Sequence, residues 1–170
     1  MVEKYFGGTL PADKKSDPMD DELISMATAL RAKVDECMDN TTLNIALAEI
    51  FKVISRANKY IDETAPWVLA KDEANKPRLA AVLYNLLEAI RISTSLLYAF
   101  MPKVWEQIGA SADDVSYENA AKFGVLPADV TVHRGEVLFP RIDVDKEISE
   151  LNALIEAQMK KTQAEQDKDG

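Results

Sequence analysis

The sequence predicts an all-α protein, a helical bundle of three long helices and several short ones. Three observations carry this. Apolar residues recur at alternating spacings of four and three through three separate segments, which is the period of one helix face. Pro18, Pro66, Pro77 and Pro102 each stand at the start of such a segment, where a missing N–H removes no helical hydrogen bond. Only one stretch, 130–139, alternates with a period of two, and it predicts a short two-stranded hairpin around Arg134-Gly135.

The chain opens on Glu3-Lys4-Tyr5-Phe6-Gly7-Gly8, which reads as the last turn of a helix closed by glycine. Residues 1–8 are therefore expected to be the end of a helix cut short at Met1. Residues 9–16 are loop. Asp17 offers an N-cap and Pro18 a first helical position, with Asp20 and Asp21 suited to the positive helix end. Leu23, Ala27, Leu30, Val34 and Cys37 then mark one face of a helix over about 18–38.

Asp39-Asn40-Thr41 resets the chain, and Leu43, Leu47, Ile50, Ile54, Ala57 and Ile61 define a second helix ending near 61. So short a break predicts an antiparallel hairpin of helices. Residues 62–65 are a connector, and Pro66 starts a short turn through Ala70. From Pro77 to Met101 the apolar stripe widens to include Ala80, Val82, Leu87 and Phe100, as expected of a central helix covered on more than one side. Pro102 opens a short helix ending at Gly109, and 110–129 read as loop with one helical turn near Glu118–Phe123. A last amphipathic helix spans Asp143 to about Ala164, with Val144, Ile148, Leu151, Ile155 and Met159 on one face; a disordered tail is expected at 165–170. The expected organisation is a bundle over 9–129, then the hairpin and a terminal helix over 130–164.

At 170 residues the chain fits one domain. No apolar run approaches the length of a membrane span and no signal segment opens the chain, so the cytoplasm is the expected location and no membrane partner is expected. The net charge of −9 argues against non-specific binding to DNA or RNA, which comes from neutralising phosphates. The charge is uneven. Residues 52–78 hold six basic groups against four acidic ones, so that window is +2 and the remainder −11.

No catalytic constellation is found. The lone Cys37 lies on an apolar stripe as a small core residue, and the only histidine, His133, reads as a surface residue of the hairpin. The acidic pairs Asp20/Asp21, Asp72/Glu73 and Asp113/Asp114 read as caps and solvated faces. No phosphate-cradling loop and no metal-spaced ligand cluster is present, so no catalytic or metal-binding residue and no cofactor are assigned.

The stretch of interest is Asn58-Lys59-Tyr60-Ile61-Asp62-Glu63-Thr64-Ala65-Pro66-Trp67, followed by Lys71. It sets a tryptophan directly after a proline, at a helix junction, within the basic window. A flat indole among cationic side chains suits the stacking of a single-stranded base, worth roughly 1–3 kcal/mol per base. The competing reading is that Trp67 fills a gap between helices.

This run resembles the "N-x-Y-I-(D/E)-x-x-x-P-W" signature of the methionyl-tRNA synthetase anticodon-binding domain. Lys4-Tyr5-Phe6-Gly7-Gly8 resembles the end of that domain's first helix, and Leu138-Phe139-Pro140-Arg141-Ile142 its "L-F-P-R-I" segment. The three pieces stand in family order and span nearly the whole chain. The resemblance implies a bundle of the class I synthetase anticodon-binding type. It implies that Trp67 stacks on the first anticodon base of methionine tRNA. Apart from the resemblance, Lys59 and Lys71 flank Trp67 in sequence, where they suit neighbouring phosphates, and Asn58 of the same run is a further candidate RNA contact. The resemblance implies as further partner a catalytic domain in the same chain, which joins methionine to its tRNA using ATP. The family's "N-L-x-x-R" pair, which reads the same base, has no counterpart here. Two other readings stand beside it: a helical interaction module with no RNA role, and a stand-alone enzyme, for which no catalytic constellation is present.

Overall fold

The computed structural model describes residues 1–108 and 116–166. The chain divides into two compact units, Met1–Glu136 and Val137–Gly170. In the first unit, α1 (Val2–Phe6) ends at Gly7, whose φ of 65° places it in the left-handed region. The Gly7 and Gly8 N–H groups cap the Glu3 and Val2 carbonyls, the helix-terminating geometry that the glycine pair predicts.

A single 3-10 turn, Pro18–Asp20, leads into α2 (Asp21–Asp39), and the Asp17 side chain caps it by accepting from the Met19 N–H. Helix α3 (Leu43–Thr64) follows a tight connection in which Thr41 takes φ 60°. The one-turn helix α4 (Pro66–Leu69), a 3-10 turn (Glu73–Asn75), α5 (Lys76–Leu97), α6 (Pro102–Ile108) and a 3-10 turn (Glu118–Ala121) complete the unit. Helices α2, α3 and α5 pack on one another.

Two apolar clusters fill the unit. Leu30, Val34, Ile50, Val53, Ile92 and Leu96 belong to one, with Cys37 packed against its edge as its place in the stripe predicts. Leu10, Leu23, Tyr60, Leu79, Val82 and Leu86 belong to the other. Helix α5 runs through both and is buried over most of its circumference. With its leading turn, Glu73–Leu97 is long and apolar enough to cross a membrane, a candidate the run-length reading passed over. Here 83% of that apolar window is buried inside the protein, as in the core helix of a bundle.

The hairpin expected at 130–139 is not formed: among the described residues there is no strand. Thr131 instead makes an antiparallel bridge with Thr9. The Leu10 N–H donates to the Val130 carbonyl at 3.0 Å and the Val132 N–H to the Gly8 carbonyl at 2.8 Å, while the two threonine hydroxyls meet at 2.8 Å. The alternation at 130–132 is real, because Val130 and Val132 pack on the second apolar cluster. Its partner is 122 positions away rather than next in sequence.

The second unit, taken by itself, is an irregular lead and helix α7 (Val144–Gln166). The helix runs two residues past its predicted end, and 167–170 lie outside the described residues. So do Asp113, Asp114 and the predicted helix stop at Gly109.

Candidate nucleic-acid interface

The Asn58–Trp67 run forms an elbow. Helix α3 continues through the predicted connector to Thr64, whose hydroxyl donates back to the Tyr60 carbonyl at 2.6 Å. Pro66 disfavours right-handed helical backbone at the residue before it. Ala65 accordingly takes φ 42°, ψ 62°, a left-handed conformation that costs a non-glycine residue roughly 1–2 kcal/mol. The chain turns there, Pro66 is buried as the first residue of α4, and Trp67 follows it. The indole is 45% exposed, and Val68 beside it is exposed as well. Trp67 thus stands partly in solvent rather than enclosed between helices.

The structure places the other candidates unequally. Lys71 lies exposed just past the end of α4, its N–H bonded to the Val68 carbonyl, and among the described residues it makes no ion pair. Lys59 is exposed on the last turns of α3 but lies 3.5 Å from Glu63. Asn58 lines an open groove of about 730 Å³ with Val2, Ile54, Leu83, Leu86 and Ile90. Trp67 does not line that groove. Trp67 and Lys71 thus share the α4 turn, whereas Asn58 belongs to another face of α3.

The basic window proves less available than its count implies. Arg56 is buried, 2.7 Å from Glu22 and 3.0 Å from Glu63. Lys52 pairs with Glu49, and Lys76 with Glu73 at 2.7 Å. Arg78 is bonded twice to Asp20, at 2.6 and 2.7 Å.

Asp20 itself corrects the sequence reading. The pair Asp20/Asp21 reads in the sequence as caps and solvated faces. Asp20 does cap, as the far end of a capping box with Asp17, but it is 2% exposed rather than solvated. Its Oδ1 also accepts from the fully buried Tyr60 hydroxyl at 2.5 Å and its Oδ2 from the Asp17 N–H at 3.0 Å. Burial pushes the Asp20 carboxyl up, but the hydrogen bonds from Arg78, Tyr60 and Asp17 together with the Arg78 charge outweigh it, and the group titrates below the usual range. Burial, followed by the bond to the Asp20 carboxylate, pushes the Tyr60 phenol up to about 12.

A second buried pair lies on α5. Glu88 and Arg91 stand 2.8 Å apart, both closed off from solvent. Among the described residues no group of three or more His, Cys, Asp and Glu side chains is placed to hold an ion.

A surface tryptophan on a proline-fixed elbow at the end of a helical bundle is the setting that the signature run suggested. The family model described as the anticodon binding domain of methionyl tRNA ligase matches residues 10–159. The chain belongs to this family. The anticodon-binding domain is 48% identical over 169 residues to the methionine–tRNA ligase of Caldanaerobacter subterraneus subsp. tengcongensis, covering 97% of this chain and 26% of that protein. It is 48% identical over 158 residues to the ligase of Clostridium tetani, covering 92% and 25%. The domain thus spans about a quarter of the length of the curated relatives it matches. Its fold is similar to that of the free form of Mycobacterium tuberculosis methionyl-tRNA synthetase, with a TM-score of 0.74, 29% identity, and coverage of 84% of this chain and 30% of that one. It is also similar to the same enzyme in complex with methionyl-adenylate, with a TM-score of 0.71 and 28% identity.

Proposed function

We propose that this domain reads the anticodon of methionine tRNA on behalf of a cytoplasmic methionine–tRNA ligase. The catalytic chemistry, attachment of methionine through an adenylate made from ATP, belongs to the remainder of that enzyme. The observation that carries the reading is the half-exposed Trp67 indole, held on the Ala65–Pro66 elbow, with Lys71 one turn on, exposed and in no ion pair among the described residues. The indole face supplies stacking for the first anticodon base, and Lys71 supplies a cation for a neighbouring phosphate. Lys59 contributes less, because Glu63 already neutralises it. Asn58 is retained as a weaker candidate on the adjoining face of α3.

The test is aminoacylation by a full-length ligase carrying this domain. Trp67→Ala should lower kcat/KM for methionine tRNA by roughly 1–3 kcal/mol in transition-state terms, with methionine-dependent pyrophosphate exchange unchanged. Unaltered tRNA kinetics would leave the domain as a helical interaction module.

A further inference from the structure

The segment that carries Trp67 and Lys71 runs from Ala65, after α3, to Asn75, before α5. Both of its anchor points meet at one carboxylate. On the α3 side, Tyr60 stands one turn before Thr64 and its hydroxyl donates to Asp20 Oδ1. On the α5 side, Arg78 stands in the first turn and donates to both oxygens of the same group. Asp20 arrives from a third element, the turn that leads into α2. Asn85, one helical stretch further along α5, adds a bond to the Tyr60 hydroxyl at 3.3 Å.

A buried ion pair is an inefficient source of stability, since apolar side chains of similar volume often serve as well or better. What it adds is direction. A planar guanidinium that bonds both oxygens of a carboxylate allows few relative orientations of the two backbones. The left-handed Ala65 between the anchors persists only where its surroundings over-determine it.

We propose that Asp20 is a positioning residue for RNA recognition. By tying Tyr60 to Arg78 it fixes the spacing of α3 and α5 at the elbow, and so the direction in which the Trp67 indole and the Lys71 ammonium are presented. Being buried, Asp20 acts through these two partners and does not touch RNA. The inference rests on the reading of Trp67 as the base-stacking residue.

The experiment loosens the tie from either side in a full-length ligase carrying this domain. Tyr60→Phe removes the hydroxyl and keeps the ring; Arg78→Lys keeps the charge and removes the paired geometry. Each should raise KM for methionine tRNA by about tenfold, a part of the loss that removing the Trp67 stacking surface itself would bring. The kcat for aminoacylation and methionine-dependent pyrophosphate exchange should stay at the parent level. In the 170-residue chain with Trp105→Phe, so that Trp67 is the remaining indole, acrylamide quenching should change in both variants. A parental KM in the folded variants overturns the proposal, whatever the melting temperature does. Trp67→Ala is measured alongside. If it leaves tRNA kinetics unchanged, the anticodon reading has failed, and unchanged Trp67 quenching would then overturn the positioning role too. Should Arg78→Lys not fold, Tyr60→Phe decides alone.

Discussion

Glu88 and Arg91, one turn apart on α5 and 2.8 Å from each other, use their buried charges to fasten a loop. The Glu88 carboxylate accepts the Gly124 N–H at 2.9 Å on one oxygen and the Leu126 N–H at 2.7 Å on the other. Arg91 donates to the Asn119 carbonyl at 3.1 Å and to that of Lys122. Four backbone groups are thereby tied to the core helix, one of which, the Asn119 carbonyl, also accepts the Lys122 N–H at 3.1 Å. Glu88→Gln keeps the shape and removes the charge that balances Arg91. It should cost about 3 kcal/mol or more, read as a lower urea midpoint. Hydrogen exchange should show the Gly124 and Leu126 amides losing protection ahead of those in α2. A midpoint within experimental scatter of the parent would show that the pair is dispensable.

Trp67 should prove tolerant in stability terms. Replacing a core tryptophan with alanine costs about 3–5 kcal/mol, but this indole is 45% exposed and part of its area never left water. Trp67→Ala is expected to cost about 1–2 kcal/mol, and Trp67→Phe less. Thermal unfolding of the isolated chain checks this. A loss in the core range would return Trp67 to the gap-filling role.

The buried tyrosine gives the domain an alkaline limit. Tyr60 holds its proton in the folded state up to about 12, against an ordinary tyrosine value near 10. The folded state therefore binds more protons than the unfolded one across that window. The stabilisation is complete below pH 10 and is lost as pH rises from 10 towards 12. Asp20 has the opposite sign: its depressed value contributes stability above the ordinary carboxylate range that is lost as the solution is acidified through the folded value. Melting temperature against pH should fall more steeply above pH 10 in the parent than in Tyr60→Phe. Parallel alkaline limbs would remove Tyr60 as the cause.

Thr41 offers a gain. It is β-branched, exposed and held at φ 60° between α2 and α3, where Asn or Gly is preferred. Thr41→Asn should raise stability by about 0.5–1 kcal/mol, visible as a higher urea midpoint with an unchanged slope. A lower midpoint would mean that the threonine makes a compensating contribution.

The course of the helices was legible because it depends on local chemistry. Asp17-Pro18, Pro66, Pro77 and Pro102 mark starts through their own backbone restrictions, and the four-three spacing marks the buried faces without reference to any partner. The partial exposure of Trp67 was legible for the same reason: a proline at a junction starts a new, short helix and keeps the residue after it out of the long helix before it. The clamp behind it was not. Asp20 and Asp21 are chemically alike and adjacent, and only residues 40 and 58 positions further on decide that one is buried and the other solvated. The basic window misled for a related reason, because a count of lysines and arginines does not reveal that Arg56 is buried against Glu22 and Glu63 and that Arg78 is held by the buried Asp20. The hairpin failed at pairing rather than at pattern, since alternation says that a segment lies against a surface but not which backbone lies beside it.

The bridge between Thr9 and Thr131 bears on how the first unit assembles. The α2–α3 hairpin closes a connection of a few residues, whereas this bridge closes a span of 122 and repays that entropy with a few hydrogen bonds and the burial of Leu10, Val130 and Val132. A contact that closes so long a loop is expected to form after the helices between its ends and to open before them. The unit is then latched at its edge: a bundle that can breathe at residues 8–10 and 130–132 while its helical interior stays shut.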